Sequence, residues 1–495
     1  MVQPSTASHP GDAPGGASAN SDWRLRAPFA ILLVALLWAA QLVNAASVIT
    51  ATAQAQIAQY FHTTQIAWYS LIYVLCGTLL LPFVVKLGDM FGKKRIMIVV
   101  IVIGLIGDVI SALAPTYAVL LIGRAISACY VPVAPLVFAT ARDIFPARRV
   151  GTATGIIGAT LGAIIAVGPL IAGFLLDNVG FRGAIWFVSA CTAVALLLVI
   201  VLVPETPRRA AGAFDWLGGV LLGASIIALM YGVSQGSVWG WLDARVLALA
   251  GGAVVILLGF VLVERRVAHP LLDLPMLSRR EVATVLSAGS IVQGTAFVAA
   301  AIMTVVIPLY PRIPGVSDGL GWSAMQGALV GLPAGVVLFV VGMAAGASTR
   351  RFDPRVPWLL GVVITMAGLV AAGFYHHNAV QIIATGMLTA LGAGMVYACN
   401  PILILSAVTP REQALASGMS LMLLGVVITF VTQVLFTVLG SHSTVVKGTA
   451  LYLDAGYRNG YFVLAGCVLI GLVVSLLIPK LRRPADIEAG TAAAG

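Results

Sequence analysis

Fourteen stretches of about twenty residues, each nearly free of charge, follow one another along this chain. They lie near residues 28–50, 65–87, 96–114, 117–140, 150–174, 183–203, 214–235, 246–263, 282–309, 322–346, 357–375, 379–405, 414–440 and 460–479. A hydrocarbon core about 30 Å thick is crossed by roughly 20 helical residues, and inside it every backbone N–H and C=O needs an internal partner. An all-α integral membrane protein is therefore expected. The composition agrees: 60% of the 495 residues are apolar and only 9% charged, where a soluble domain carries about a quarter.

The positions of Lys and Arg set the expected orientation, because short cytoplasmic loops retain basic residues. With the N-terminus inside, only Arg182, Arg245, Arg312, Lys447 and Arg458 fall in outer loops and Arg124 in a span, and the rest of the 28 basic residues are cytoplasmic. Both termini are thus expected on the cytoplasmic side of a cell membrane. The net charge of +10 is spread over many cytoplasmic segments. It reports topology and contact with anionic lipid, and no nucleic-acid partner is expected. Cys76, Cys129, Cys191, Cys399 and Cys467 all lie in spans, so no disulfide framework is implied. His376-His377 is the one histidine pair; without neighbouring carboxylates or thiols it reads as interfacial, and no metal is expected.

The chain divides into a disordered cytoplasmic tail over residues 1–27, a six-helix bundle over 28–204, two inserted membrane helices with a cytoplasmic linker over 205–281, a second six-helix bundle over 282–480, and a tail over 481–495. The tails are Ser-, Ala-, Pro- and Gly-rich without periodicity. Two bundles of this size place a substrate near the midplane where they meet. There is no G-x-S-x-G, Walker-type or H-E-x-x-H pattern, so neither an enzyme nor ATP-driven chemistry is expected, and no cofactor. The proton gradient remains as energy source, worth about 2.3 kcal/mol per charge at 100 mV. A monomer is expected.

The loop between the second and third spans runs Val85-Lys86-Leu87-Gly88-Asp89-Met90-Phe91-Gly92-Lys93-Lys94-Arg95. It resembles the signature loop of the major facilitator superfamily, matching it at Leu87, Gly88, Asp89, Gly92, Lys93 and Lys94, with Val85 in place of a glycine and Met90 in place of an arginine. Arg124, Gly168-Pro169 with Gly173, Phe181-Arg182 and Asp215-Trp216-Leu217-Gly218 follow in the family's order. From about residue 25 to 480 the chain resembles the fourteen-helix drug:proton antiporter branch. The resemblance implies a proton-coupled exporter of hydrophobic or amphiphilic small molecules working by alternating access. A dedicated exporter of one natural product or anionic metabolite, or a lipid transporter of the same fold, stands as the alternative.

Asp89, at a cytoplasmic helix end among Lys86, Lys93, Lys94 and Arg95, is suited to a gate latch whose charge-assisted bonds form in one conformation and break in another; Gly88 and Gly92 let the loop approach its partner. In the corresponding loop of the second half Arg350 takes the aspartate's place. Arg124 is the one basic residue deep in a span, where a charge costs about 2.5–3.5 kcal/mol on insertion scales and needs a partner; in the resembled family this arginine is linked to proton movement, although Ser127 and Ala128 replace the glutamine and glycine that usually follow three residues on. Asp108 lies at similar depth on the preceding helix, so the two are a candidate proton-coupling pair, or the aspartate is held neutral or by hydrogen bonds. Around Gly168-Pro169, Gly151, Gly155, Gly158, Gly162 and Gly173 allow close packing and the proline a bend; in the family this element seals the two halves of exporters.

The first span departs from the drug antiporters: Ala46 and Ala55 stand where an aspartate and a proline are usual, and Thr429, Thr432 and Gln433 bring no acid to the thirteenth. A cavity without a carboxylate suits neutral, zwitterionic or anionic cargo. Candidate cavity residues are Gln41, Asn44, Tyr73, Tyr130, Gln293, Gln326, Tyr397, Asn400 and Met422, because aromatic and thioether groups make adaptable walls and an amide in a span needs a partner or a water-filled cavity.

Overall fold

A computed structural model describes residues 29–206, 216–267, 274–300, 304–349, 351–408, 412–446 and 448–479. The expectations for the two tails, for Asp215, for Arg350 and for Lys447 lie outside the described residues. The first half comprises α1 (Phe29–Thr52), α2 (Gln54–Phe61), α3 (Ala67–Phe91), α4 (Lys93–Leu113), α5 (Tyr117–Ser127), α6 (Val133–Ile144) and α7 (Ala147–Leu202). α8 (Trp216–Trp239), α9 (Ala244–Glu264) and the short α10 (Leu274–Ser278) lead to the second half: α11 (Arg280–Val298), α12 (Thr304–Leu309), α13 (Ala324–Ser348), α14 (Arg355–Phe374), α15 (Ala379–Ala407), α16 (Gln413–Ser441) and α17 (Asp454–Leu476).

Helix boundaries follow local chemistry. Thr116, Asp243, Ser323 and Asn378 each accept a backbone N–H at a helix start, satisfying donors that a helix leaves open there. Gly92 ends α3 with φ 101°. α3 is itself bent, its parts Ala67–Leu81 and Phe83–Phe91 meeting at 41°. Two small antiparallel strand pairs that the apolar pattern does not announce complete the structure: β1 (Arg312–Ile313) with β2 (Ser317–Asp318), and β3 (Ser443–Val446) with β4 (Thr449–Tyr452).

Eleven helices among the described residues are long and apolar enough to cross a membrane, twelve when the bent α3 is included. Among the described residues α8 is counted only over Leu217–Val233 and α7 only over Val167–Leu202, so the expected fourteen is not reached. α7 is helical on both sides of Gly180, whose φ of 68° and ψ of −179° belong to a region open essentially to glycine alone. The chain turns back there: Gly173 meets α13, Arg182 donates to the Ala114 carbonyl at 2.9 Å, and the Ile200 carbonyl returns to Lys94 Nζ at 2.8 Å.

The helices therefore have two poles. One carries the α3–α4 turn, the end of α7 and the starts of α11 and α14; the other carries both strand pairs, Gly180 and the α14–α15 turn. Between them packing runs through small residues, as expected where lipid removes most of the hydrophobic drive for helix association. A Cβ on Gly361 would lie 2.8 Å from the Gly392 carbonyl, and one on Gly394 3.1 Å from the Gly342 nitrogen. α8 and α9 pack mainly on each other and reach the bundles through a separate apolar cluster in which Leu222, Ile226, Met230 and Phe260 meet Leu75 and Met422. Most of α9 is exposed toward what would be lipid.

Candidate transport cavity

A cavity of about 310 Å³ lies between the halves, walled by α1, α3, α5 and Pro169 of α7 on one side and by α11 to α17 on the other. Its wall is mostly aliphatic, with hydroxyls from Ser47, Thr50, Thr385, Thr389, Thr429 and Thr432 and the rings of Tyr73, Tyr397 and Tyr461. Among the described residues that line it, Arg124 is the single charged one and none is a carboxylate.

Arg124 is held by its surroundings on α1 and α3. Its guanidinium donates to Thr50 Oγ1 at 3.1 Å and sits over the rings of Tyr73 and Tyr69, 4.2 and 4.8 Å from their centroids. Such cation–π contacts are worth about 2 kcal/mol when desolvated, which offsets much of the cost of the buried charge. Its Nε is buried without a hydrogen-bond partner.

Asp108 is also buried, but it does not form the direct ion pair that its depth allows. Ser127 and Tyr130 hydroxyls donate to one carboxylate oxygen at 2.7 and 3.3 Å, and Thr192 of α7 to the other at 3.1 Å. The backbone explains this. A Cβ on Gly107 or Gly123 would collide with the facing helix, and one on Gly104 with the Tyr130 ring; α4 and α5 thus touch along glycines, and Asp108 meets the turn at residues 128–130 while Arg124 faces the cavity. Tyr73 and Tyr130, 6.2 Å apart between ring centroids, stand between the two charges. Ser127, read from sequence as a departure from the family pattern, is the aspartate's nearest donor.

The other candidates fall in three places. Tyr73 and Tyr397 line the cavity. Gln41 donates to the Ile157 carbonyl at 2.7 Å and to Thr160, fastening α1 to α7, and Asn44 donates to Gln41 within α1. Asn400 donates to Gln293 Oε1 at 3.1 Å, joining α15 to α11 behind the cavity wall. Gln326 closes a capping box with Ser323, Tyr130 serves Asp108, and Met422 is turned toward α8. Thr429 and Thr432 of α16, which the sequence marks as polar positions of the thirteenth span, line the cavity, while the small residues of α13 that do so carry no sequence signal except glycine and alanine spacing.

The gating residues also sort by contact. Asp89 pairs with Lys93 at 3.5 Å and is itself two-fifths exposed. Lys93 is buried and faces Asp143 of α6 as well, its backbone N–H donates to Thr206, and Arg95 pairs with Glu205 at 3.5 Å. A Cβ on Gly92 would sit 2.6 Å from Glu205 Oε1, and one on Gly88 would meet Leu136. Lys93, more than Asp89, is the hub of this loop; Asp143 and Glu205 are the partners that sequence alone leaves unassigned. Gly168 packs on Val48 of α1, whereas the close crossing between halves belongs to Gly173, where a Cβ would come within 2.8–2.9 Å of the backbone of Ala324 and Met325. One turn further on, Asp177 accepts the N–H groups of Ala324 and Met325 at 3.0 and 2.9 Å, capping a helix of the other half.

Residues 29–432 match the Major Facilitator Superfamily. The chain belongs to this superfamily. The facilitator is 28% identical to the tetracenomycin C resistance and export protein of Streptomyces glaucescens, over 74% of its own length and 66% of that relative's. It is 30% identical to the uridine/deoxyuridine transporter of Lactococcus lactis, over 65% of this chain and 67% of the relative, and 25% identical to multidrug resistance protein 3 of Bacillus subtilis, over 71% and 68%. The match thus spans just under two thirds of the length of the Streptomyces relative. Among solved structures, a POT peptide transporter in complex with sulfate superposes with a TM-score of 0.63 over 92% of this chain and 96% of the other at 12% identity, a likeness of fold. These relatives are transporters. The chain thus belongs to a superfamily of membrane transporters, not of enzymes.

Proposed function

We propose that this facilitator is a fourteen-helix proton-coupled antiporter that exports neutral or anionic amphiphilic compounds by alternating access, with both termini cytoplasmic. The observation that carries the reading is the cavity between the halves, apolar and hydroxyl-lined, with Arg124 as the one charge among its described residues. Export is supported by the likeness to resistance and export proteins. The coupling role falls to Asp108 and Arg124: they flank the Tyr73 and Tyr130 rings, so a proton gained by Asp108 would weaken its hold on three hydroxyls and alter the field at the arginine. In a low-dielectric interior such a change acts far more strongly than in water.

The likeness to a uridine/deoxyuridine transporter favours a second reading, a carrier of uncharged polar solutes, which the hydroxyls of α1, α15 and α16 would accommodate. Proton flux in proteoliposomes, measured against cationic, neutral and anionic aromatic compounds and uridine, separates the two. Proton release on adding neutral or anionic amphiphiles, lost in Arg124→Ala and in Asp108→Asn, is the expected result. Flux driven only by cationic compounds, or undiminished in both variants, would overturn the proposal.

A further inference from the structure

His376 and His377 form the turn between α14 and α15, and the fold brings Asp454, the first residue of α17, against both. His376 Nε2 lies 3.1 Å and His377 Nε2 2.9 Å from the same Asp454 Oδ1, and the imidazole rings stack with centroids 4.5 Å apart. The sequence expectation that these histidines lack a carboxylate is therefore corrected: the acid arrives from 78 residues away.

Proton bookkeeping at His376 makes the cluster informative. Its Nδ1 lies 2.8 Å from the Ala372 carbonyl, which can only accept, so that nitrogen carries the hydrogen. In a neutral ring the Nε2 lone pair then points at a carboxylate oxygen, and two acceptors face each other. A cation between them resolves the conflict.

We propose that His376, His377 and Asp454 bind a divalent transition-metal ion of the Zn²⁺, Co²⁺ or Ni²⁺ class through two Nε2 atoms and one carboxylate oxygen. Imidazole and carboxylate are the donors such ions take, and an Nδ1–H to a backbone carbonyl is the outer contact that fixes a metal-ligating imidazole. The ligand atoms lie within 4.8 Å of one another. With bonds of about 2.0–2.2 Å, neighbouring ligands on one ion are spaced roughly 3–3.5 Å, close to the nitrogen–oxygen separations found. His376 is buried while His377 and Asp454 are partly exposed, so an ion would enter from the aqueous face and keep positions for water.

The site touches the transport machinery. The Asp454 N–H donates to Asp318 Oδ2 at 2.9 Å, and the His376 ring lies 5.8 Å from that of Tyr461, which lines the cavity. A bound ion would brace α17, the α14–α15 turn and the β1–β2 pair against one another.

The test is calorimetric titration of the full chain, purified in detergent without a polyhistidine tag, with Zn²⁺, and visible absorption with Co²⁺. One ion per chain is expected at micromolar metal, with a Co²⁺ ligand-field band. His377→Ala, at a half-exposed position, and Asp454→Asn should each weaken binding roughly tenfold or more while circular dichroism is unchanged; His62→Ala and His442→Ala, histidines elsewhere at this pole, should bind as the parent does. The proposal fails if the parent takes up no more Zn²⁺ than His376→Gln/His377→Ala, or if His377→Ala and Asp454→Asn bind with parental affinity.

Discussion

The two poles of this transporter are held by different kinds of contact. At the charged pole the ion pairs Asp89–Lys93, Lys93–Asp143 and Arg95–Glu205 gather α3, α4, α6 and the segment that follows α7, and Arg279–Glu412 ties the start of α11 to that of α16. At the opposite pole bonds cross: Asp177 of α7 caps α13, Thr449 of β4 donates to the Ala58 carbonyl at 3.2 Å, and Gly448 lies against His62. Charge thus fastens helices where solvent and salt are near, while backbone groups and glycines join the halves at the other pole, where the proposed alternating access would part them. Backbone hydrogen bonds and close glycine contacts are cheap to make and to break as a set, which suits a seam; a buried lysine between two carboxylates suits a fixed corner.

That contrast can be broken experimentally. The largest effect is expected from Lys93→Ala, which removes the buried cation facing Asp143: about 3–5 kcal/mol of stability, seen as a lowered unfolding midpoint in detergent. A midpoint equal to the parent's would show that the corner is not structural. Gly173→Val should wedge α7 from α13 and raise the labelling rate of Ser47→Cys, in a cysteine-free background, from the strand-pair side; an unchanged rate would remove Gly173 from the seam. Asp177→Ala should do the same more mildly, since a lost cap costs about 1 kcal/mol, roughly a fivefold shift in population. Smallest in stability is Asp89→Asn, an exposed pair worth less than about 1 kcal/mol; its transport rate in proteoliposomes should fall while the midpoint holds. Equal loss of both, or of neither, would make the aspartate a structural residue or a bystander.

Much of this was legible in the chain, for reasons that individual residues make plain. Apolar runs of one bilayer's length announce helices because lipid leaves the backbone no other partner, and the loop from Val85 to Arg95 announces the superfamily. Arg124 stands out because a lone charge in a span is costly, and it is indeed the cavity's charge. Asp108 was equally visible, but its partners were not: which hydroxyls reach it depends on the glycine contact between α4 and α5, and Thr192 comes from 84 residues away. The amides Gln41, Asn44, Gln293 and Asn400 signal polar contacts without saying whether these face a cavity or another helix; here they pair with one another or with backbone. Asp177 and Asp454 were hidden because each acts through a partner distant in sequence, and the strand pairs because two to four residues carry too little pattern.

Gly180 bears on more than the shape of α7. An unbroken helix of its 56 residues would extend to about 84 Å at 1.5 Å per residue, far beyond any bilayer. The reversal at a single backbone torsion fixes the parity of all that follows: with it, the inserted pair and the second half enter from one side of the membrane, and without it from the other. A residue with no side chain thereby decides the address of every later loop, and replacing it endangers topology at biosynthesis before it touches transport.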